Sequence, residues 1–343
     1  MTGRTRGTIA GMLGVLALAA AAAGCGGDDG GAAPSDALKV GLIADAGQLN
    51  DKGFYELAYK GLQKAEEELG AEGRVVEAST PADYVPSMAA LARDGYDIVI
   101  GVGYAQADAI TKAAKRFPET RFAIVDYDHA FLKGKPANAQ GLLFKEEQVG
   151  YLVGALAALT AKREGASTIG AVGGYKEPPV DRFIAGYRAG AEAAVPGTKV
   201  VYRYSQDWED QAKCKELALG EIARGAAVVF QVAGECGLGA LSAAKERGVW
   251  GIGVDADQAF LGPHVLTSAL KGVDQAVFLT AKAVQDGSWQ GGGNVVFGLD
   301  QDGVGLGTVS EQVPEEDLAV VEDFEQKIAT GEIADIPTVL GKS

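Results

Sequence analysis

Short apolar runs alternate with longer helix-period segments twice along this chain, and that alternation constrains the fold more than any single motif. Leu38–Ala44 (LKVGLIA) reads as a buried strand, and Leu57, Ala58, Gly61, Leu62, Ala65 and Leu69 follow on one helical face. Strands at Arg74–Ala78, Asp97–Val102 and Arg121–Val125 then alternate with helices at Ser87–Arg93 and Ala105–Arg116. Such βαβα order demands a parallel sheet covered on both faces. The order restarts with an Ala/Leu-rich helix at Gln148–Lys162. It continues through Thr168–Val172, Phe183–Ala194, Lys199–Tyr204, Gln211–Arg224, Ala227–Val232, Leu238–Arg247 and Val249–Val254. Phe54 and Gly61 are echoed by Phe183 and Gly190, and each pair is followed by a Val-Val extended run, Val75-Val76 and Val200-Val201. Two Rossmann-like parallel-sheet lobes are therefore expected, with hinge segments at Asn138–Phe144 and Val265–Leu270. A helix at Val273–Asp286, a hairpin around Asp300–Gly303 and an amphipathic helix at Glu315–Thr330 complete the reading.

The length of 343 residues suits two domains of ordinary size, and 47% hydrophobic residues exclude a disordered chain. The expected first lobe takes 38–142 plus about 269–300, and the second takes 143–268 plus about 301–343. Before them, Arg4 and Arg6 precede an apolar run that ends in Ala22-Ala23-Gly24-Cys25, and a Gly/Asp/Ala-rich stretch follows. Small residues before a cysteine resemble a bacterial lipobox. Residues 1–25 are thus expected to be a lipoprotein signal peptide with lipidation at Cys25, and 26–37 a flexible tether; the alternative is a plain secretory signal. Export would place Cys214 and Cys236 where a disulfide persists, the alternative being two buried thiols. The formal charge of −15 repels phosphate backbones, which argues against nucleic acid as a partner.

Enzyme signatures are missing from the sequence. The loop after the first strand, Asp45–Asn50, holds one glycine and a carboxylate where a dinucleotide fold needs G-x-G-x-x-G. There is no Walker loop and no G-x-S-x-G elbow, and the two histidines, His129 and His264, have no metal-ligand spacing. No cofactor or metal is expected. Ligands of open parallel sheets sit beyond the carboxyl ends of the strands. Those positions deliver Asp45, Asn50, Asp51, Phe54, Tyr104, Asp126, Trp208, Gly234 and Asp255, with Lys271 further on. Carboxylates and aromatics of this kind suit hydroxyls and planar rings. Each has a plainer reading: Asn50 and Asp51 as helix caps, Phe54 and Trp208 as packing residues, Asp126 and Asp255 as caps, Lys271 as a surface lysine.

Several runs together resemble the basic membrane protein family, also called purine nucleoside receptor lipoproteins. They are Asp45 to Tyr55 (DAGQLNDKGFY), Phe117-Pro118-Glu119 with Phe122–Asp126, and Gln148–Ala157 (QVGYLVGALA). Gly173-Gly174 with Phe183, Gly186 and Tyr187, and Trp250–Asp255 (WGIGVD), complete the set. The resemblance runs from about Leu38 to Trp289. It implies a periplasmic-binding-protein fold of the first type, a monomer that serves the permease of an ABC importer from the outer face of the bacterial membrane. It also implies a nucleoside ligand, with Phe54 and Trp208 sandwiching the base, Asn50 and Asp126 bonding base edge or sugar, and Asp255 and Lys271 holding the ribose. Asn50, Tyr55 and Trp208 stand where many relatives carry Asp, Asn and Phe. A sugar-binding protein, or a sensor of the same fold, is the alternative.

Overall fold

A computed structural model describes residues 37–341. The leader, the tether and the expected lipidation at Cys25 lie outside the described residues. The first lobe is a six-stranded sheet. The chain lays down β1 (Lys39–Asp45), α1 (Phe54–Leu69), β2 (Glu72–Ala78), α2 (Tyr84–Arg93), β3 (Ile98–Gly101), α3 (Ala107–Arg116), β4 (Arg121–Val125) and β5 (Ala139–Phe144). The second lobe repeats the plan with α4 (Glu146–Arg163), β6 (Thr168–Gly173), α5 (Pro178–Ala194), β7 (Lys199–Tyr204), α6 (Gln211–Ile222), β8 (Ala226–Val232), α7 (Cys236–Arg247), β9 (Trp250–Asp255) and β10 (Val265–Lys271). Then come α8 (Val273–Gln285), β11 (Gly293–Phe297), β12 (Val304–Leu306) and α9 (Glu315–Ala329). The sheets have orders β11-β5-β4-β3-β1-β2 and β12-β10-β9-β8-β6-β7, so β1 to β5 occupy the places that β6 to β10 occupy in the second sheet.

Every strand pairing is parallel except that of β12 with β10. The apolar runs VGLIA, IVIG, FAIV and AAVVFQV are buried along their whole length, as strands covered on both faces require. The chain passes between the sheets three times: at Lys145 into α4, at Gly272 into α8, and between Phe297 and Val304. The expected hinge segments are themselves strands, β5 and β10, and the passages follow their last residues. The hairpin expected at Asp300–Gly303 is not one. β11 pairs with β5 in the first sheet and β12 with β10 in the second, so this turn is the third passage between lobes. The turn chemistry was legible, since Asp302 is left-handed at φ 53°, but the partner of each strand was not.

The Phe–Gly echo has a physical cause. A Cβ on Gly61 would overlap the backbone of Asp274 in α8, and one on Gly190 would overlap Tyr151 in α4. The same close helix crossing is thus built once per lobe, and each time it receives the helix that has just crossed over. α4 is buried nearly all round, against α5 and α9, which explains its unbroken Ala/Leu character. α5 starts at Pro178, five residues before its first periodic phenylalanine, because two prolines suit the first helical turn.

Candidate functional site

The strand ends of both sheets open on one cleft, and nine of the ten expected binding residues line it: Asp45, Asp51, Phe54, Tyr104, Asp126, Trp208, Gly234, Asp255 and Lys271. Asn50 is the exception. It is the exposed last residue of a one-turn 3₁₀ helix after β1, and the buried Gln48 at the start of that turn enters the wall instead.

The carboxylates of the first lobe are engaged by the protein itself. Asp45 accepts the hydroxyls of Tyr55 at 2.7 Å and Tyr84 at 2.6 Å. Burial and the Asp45 charge push the Tyr55 hydroxyl well above its ordinary range, so it stays a donor. Asp51 accepts the backbone N–H groups of Gly53, Tyr55 and Glu56 at 2.9, 3.0 and 3.1 Å, capping α1 and fixing Phe54 between those anchors. Burial raises the Asp51 carboxyl, and the backbone donors pull it back.

A buried ion cluster holds the crossovers together. Lys271, 2% exposed at the end of β10, has its ammonium 2.7 Å from both Asp126 oxygens and 3.0 Å from Glu146. Glu146 opens α4 just past the first passage, and its other oxygen lies 3.5 Å from Arg182 of α5. The ammonium also sits over the rings of Phe144 at 4.9 Å and Phe54 at 5.3 Å. Burial alone would push the Lys271 ammonium down; Asp126, Glu146 and Asp255 outweigh it and hold it above its ordinary value. Burial pushes Glu146 up to about 7 against the pull of Lys271. Nothing in the spacing announced Glu146, since an acid in the first turn of a helix reads as a dipole partner.

The second lobe presents its groups differently. Trp208 lies in the β7–α6 loop with its ring laid on Gly174, where any Cβ would collide with it, and with the Tyr175 ring 5.5 Å away. Asp207 accepts the N–H groups of Glu209 and Asp210 at 3.0 Å, and the Trp208 carbonyl accepts from Cys236 at 2.8 Å. Cys236 is joined in a disulfide to Cys214, tying α7 to α6 behind that loop. Asp255 ends β9, and among the described residues its carboxyl takes no hydrogen bond; burial pushes it up to about 7, with Lys271 opposing. Glu177, which the sequence reading missed, also lines the cleft. So do Phe183 and Val180 of α5. Asp257, by contrast, is a structural group that accepts Thr308 through both its N–H and its hydroxyl. Among the described residues no group of His, Cys, Asp and Glu has metal-holding geometry, and no helix is long and apolar enough to cross a membrane.

Two parallel-sheet lobes that share a cleft at their strand ends and exchange the chain three times make a solute-binding protein of the periplasmic-binding-protein type I fold. A crystal structure of an ABC transporter solute-binding protein from Aeropyrum pernix K1 superposes with a TM-score of 0.78 at 28% identity, covering 88% of this chain and 94% of that one. The family model of ABC transporter substrate-binding proteins described as PnrA-like matches residues 37–337, and the chain belongs to this Bmp family. The "CD4+ T-cell-stimulating antigen" of Listeria monocytogenes is 34% identical over 86% of this chain and 87% of its own length. The "ABC transporter nucleoside-binding protein BmpA" of Lactococcus lactis subsp. cremoris is 33% identical over 85% and 88%. The family is one of ABC substrate-binding proteins and not of enzymes.

Proposed function

We propose that this protein captures a nucleoside, a purine nucleoside above all, by closing its lobes around it, and delivers it to the permease of an ABC importer. The observation that carries the reading is one aromatic from each lobe, Phe54 and Trp208, lining a cleft that also presents Asp255 and Lys271. Flat rings stack on a base at about 1–3 kcal/mol each, while a carboxylate and an ammonium suit a vicinal diol. An ammonium has three donors; Asp126 accepts one in a hydrogen bond and Glu146 lies beside the ammonium as an ion pair, which leaves Lys271 donor capacity for the ligand. Asp126 then acts mainly through Lys271, and Gln48 stands in the wall where Asn50 was expected. Closure desolvates the base between the two rings, and the closed shape is what the permease reads. The BmpA relative is named for nucleoside binding, which supports the same reading. In this reading the chain is exported, anchored by lipid on Cys25 and monomeric.

Calorimetric titration of the full-length chain with adenosine, guanosine and inosine tests the proposal. Trp208→Ala is expected to weaken nucleoside binding by about tenfold or more, with the far-ultraviolet circular dichroism unchanged. Unchanged affinity would remove Trp208 from the site, and no nucleoside binding by the wild type would end the reading.

A further inference from the structure

We propose that Glu177 is a specificity-determining residue of the cleft, its carboxyl accepting a hydrogen bond from the ligand and, with Asp255, turning away anionic relatives of that ligand. The proposal rests on the nucleoside reading above and names a contact which that reading does not contain.

The carboxyls around the cleft divide by what they already hold. Asp45 takes two tyrosine hydroxyls, Asp51 takes three backbone N–H groups, and Asp126 and Glu146 share Lys271. Among the described residues, Glu177 and Asp255 accept no hydrogen bond and form no salt bridge through their side chains. Glu177 occupies the N-cap of α5, a position from which a side chain ordinarily bonds the first helical N–H groups. Pro178 and Pro179 follow it, and proline has no N–H to give. The helix start therefore offers the carboxyl no donor at its first two positions, and the side chain makes no cap bond. The nearby cations are engaged elsewhere: Lys176 pairs with Asp181 at 2.9 Å and Arg182 lies beside Glu146. Extended backbone at φ −123° and ψ 156° sets Glu177 into the cleft wall, which Tyr104 and Asp126 of the first lobe also line. Burial and the Asp126 charge push the Glu177 carboxyl up to about 7. Nucleosides bring N–H and O–H donors without charge; a phosphate monoester brings two negative charges toward two carboxyls that form no salt bridge among the described residues.

The test is calorimetry on the full-length chain with adenosine, guanosine and inosine and with their 5′-monophosphates, using wild type, Glu177→Ala, Glu177→Gln and the surface control Lys176→Ala. The proposal expects Glu177→Ala to weaken nucleoside binding about tenfold. Glu177→Gln, which keeps hydrogen-bonding atoms without the charge, should lose less and should narrow the discrimination against monophosphates by about tenfold. Lys176→Ala should change neither, and neither Glu177 variant should melt below the wild type when no ligand is present. Nucleoside and monophosphate affinities equal to wild type in both Glu177 variants overturn the assignment while leaving the nucleoside reading intact. If the wild type binds D-ribose but no nucleoside, the nucleoside reading falls and Glu177 is judged on ribose against ribose 5-phosphate with the same variants. A wild type that binds neither overturns both.

Discussion

Asp126 and Asp255 occupy the same place in the two lobes, at the ends of β4 and β9, with left-handed backbones at φ 70° and 63°. The likeness extends along the chain. Asp126–Leu132 and Asp255–Leu261 share the pattern D-x-D-x-A-F-L, and Asp128 and Asp257 each accept the N–H group two residues on, from Ala130 and Ala259. What differs is the partner. Asp126 closes on the Lys271 ammonium, whereas Asp255 takes no hydrogen bond among the described residues. The contrast holds for the walls they belong to. Carboxylates of the first lobe are consumed by tyrosines, backbone amides and Lys271, so that wall is tied internally. The second lobe leaves Asp255 and Glu177 open, and holds Trp208 by its surroundings. A duplicated scaffold thus fixes where the strand-end groups sit, and the crossover residues decide which of them are left for a ligand.

Removing the shared cation breaks the comparison most sharply. Lys271→Ala would leave Asp126 buried without a counter-charge and Glu146 with Arg182 alone, and breaking a buried pair in this way costs about 3–5 kcal/mol. Denaturant unfolding at neutral pH should show that loss, and nucleoside binding should vanish with it. A stability change below about 1 kcal/mol would mean the cluster ties nothing together. The disulfide comes next. It closes a loop with a sequence separation of 22 in the second lobe, and chain-entropy reasoning gives it about 3 kcal/mol. Cys214→Ser with Cys236→Ser should lower stability by that order and loosen the Trp208 loop, which receives the Cys236 N–H. Intact-mass comparison with and without reductant checks the bridge directly; two free thiols would make the walls alike in this respect.

The βα alternation was legible because strands buried on both faces leave unbroken apolar runs, and helices start where one face begins to repeat. Nine of the ten expected site residues reached the cleft wall because strand ends are fixed by the fold class. The misses have physical causes. Asn50 and Gln48 are two residues apart in a short 3₁₀ turn, and no periodicity tells which of them faces inward. Glu146 and Glu177 are acids at helix starts, where the local reading is always a cap or a dipole partner; only tertiary structure shows one meeting Lys271 and the other facing open space. The Asp300–Gly303 turn failed as a hairpin because local chemistry encodes a reversal, not the sheet each strand joins.

Asp255→Asn separates the two equivalent aspartates most finely. Burial raises the Asp255 carboxyl from its ordinary 3.8 to about 7, with Asp126, Asp51 and Glu146 adding to the rise and Lys271 opposing it. A group raised in the folded state contributes stability that is complete below about pH 3.8 and is lost as pH climbs through about 7. Asparagine is neutral throughout, so the variant should match the wild type near pH 4 and exceed it above pH 7 when no ligand is present. Its nucleoside affinity should nonetheless fall about tenfold, because the amide cannot supply the charge-assisted bond. Asp126→Asn should do the opposite to the unliganded protein at pH 8, losing stability because Lys271 loses a partner. Melting curves for both variants at pH 4 and pH 8 decide the matter. If the two aspartates respond with the same sign, the division between a tied wall and an open one is wrong.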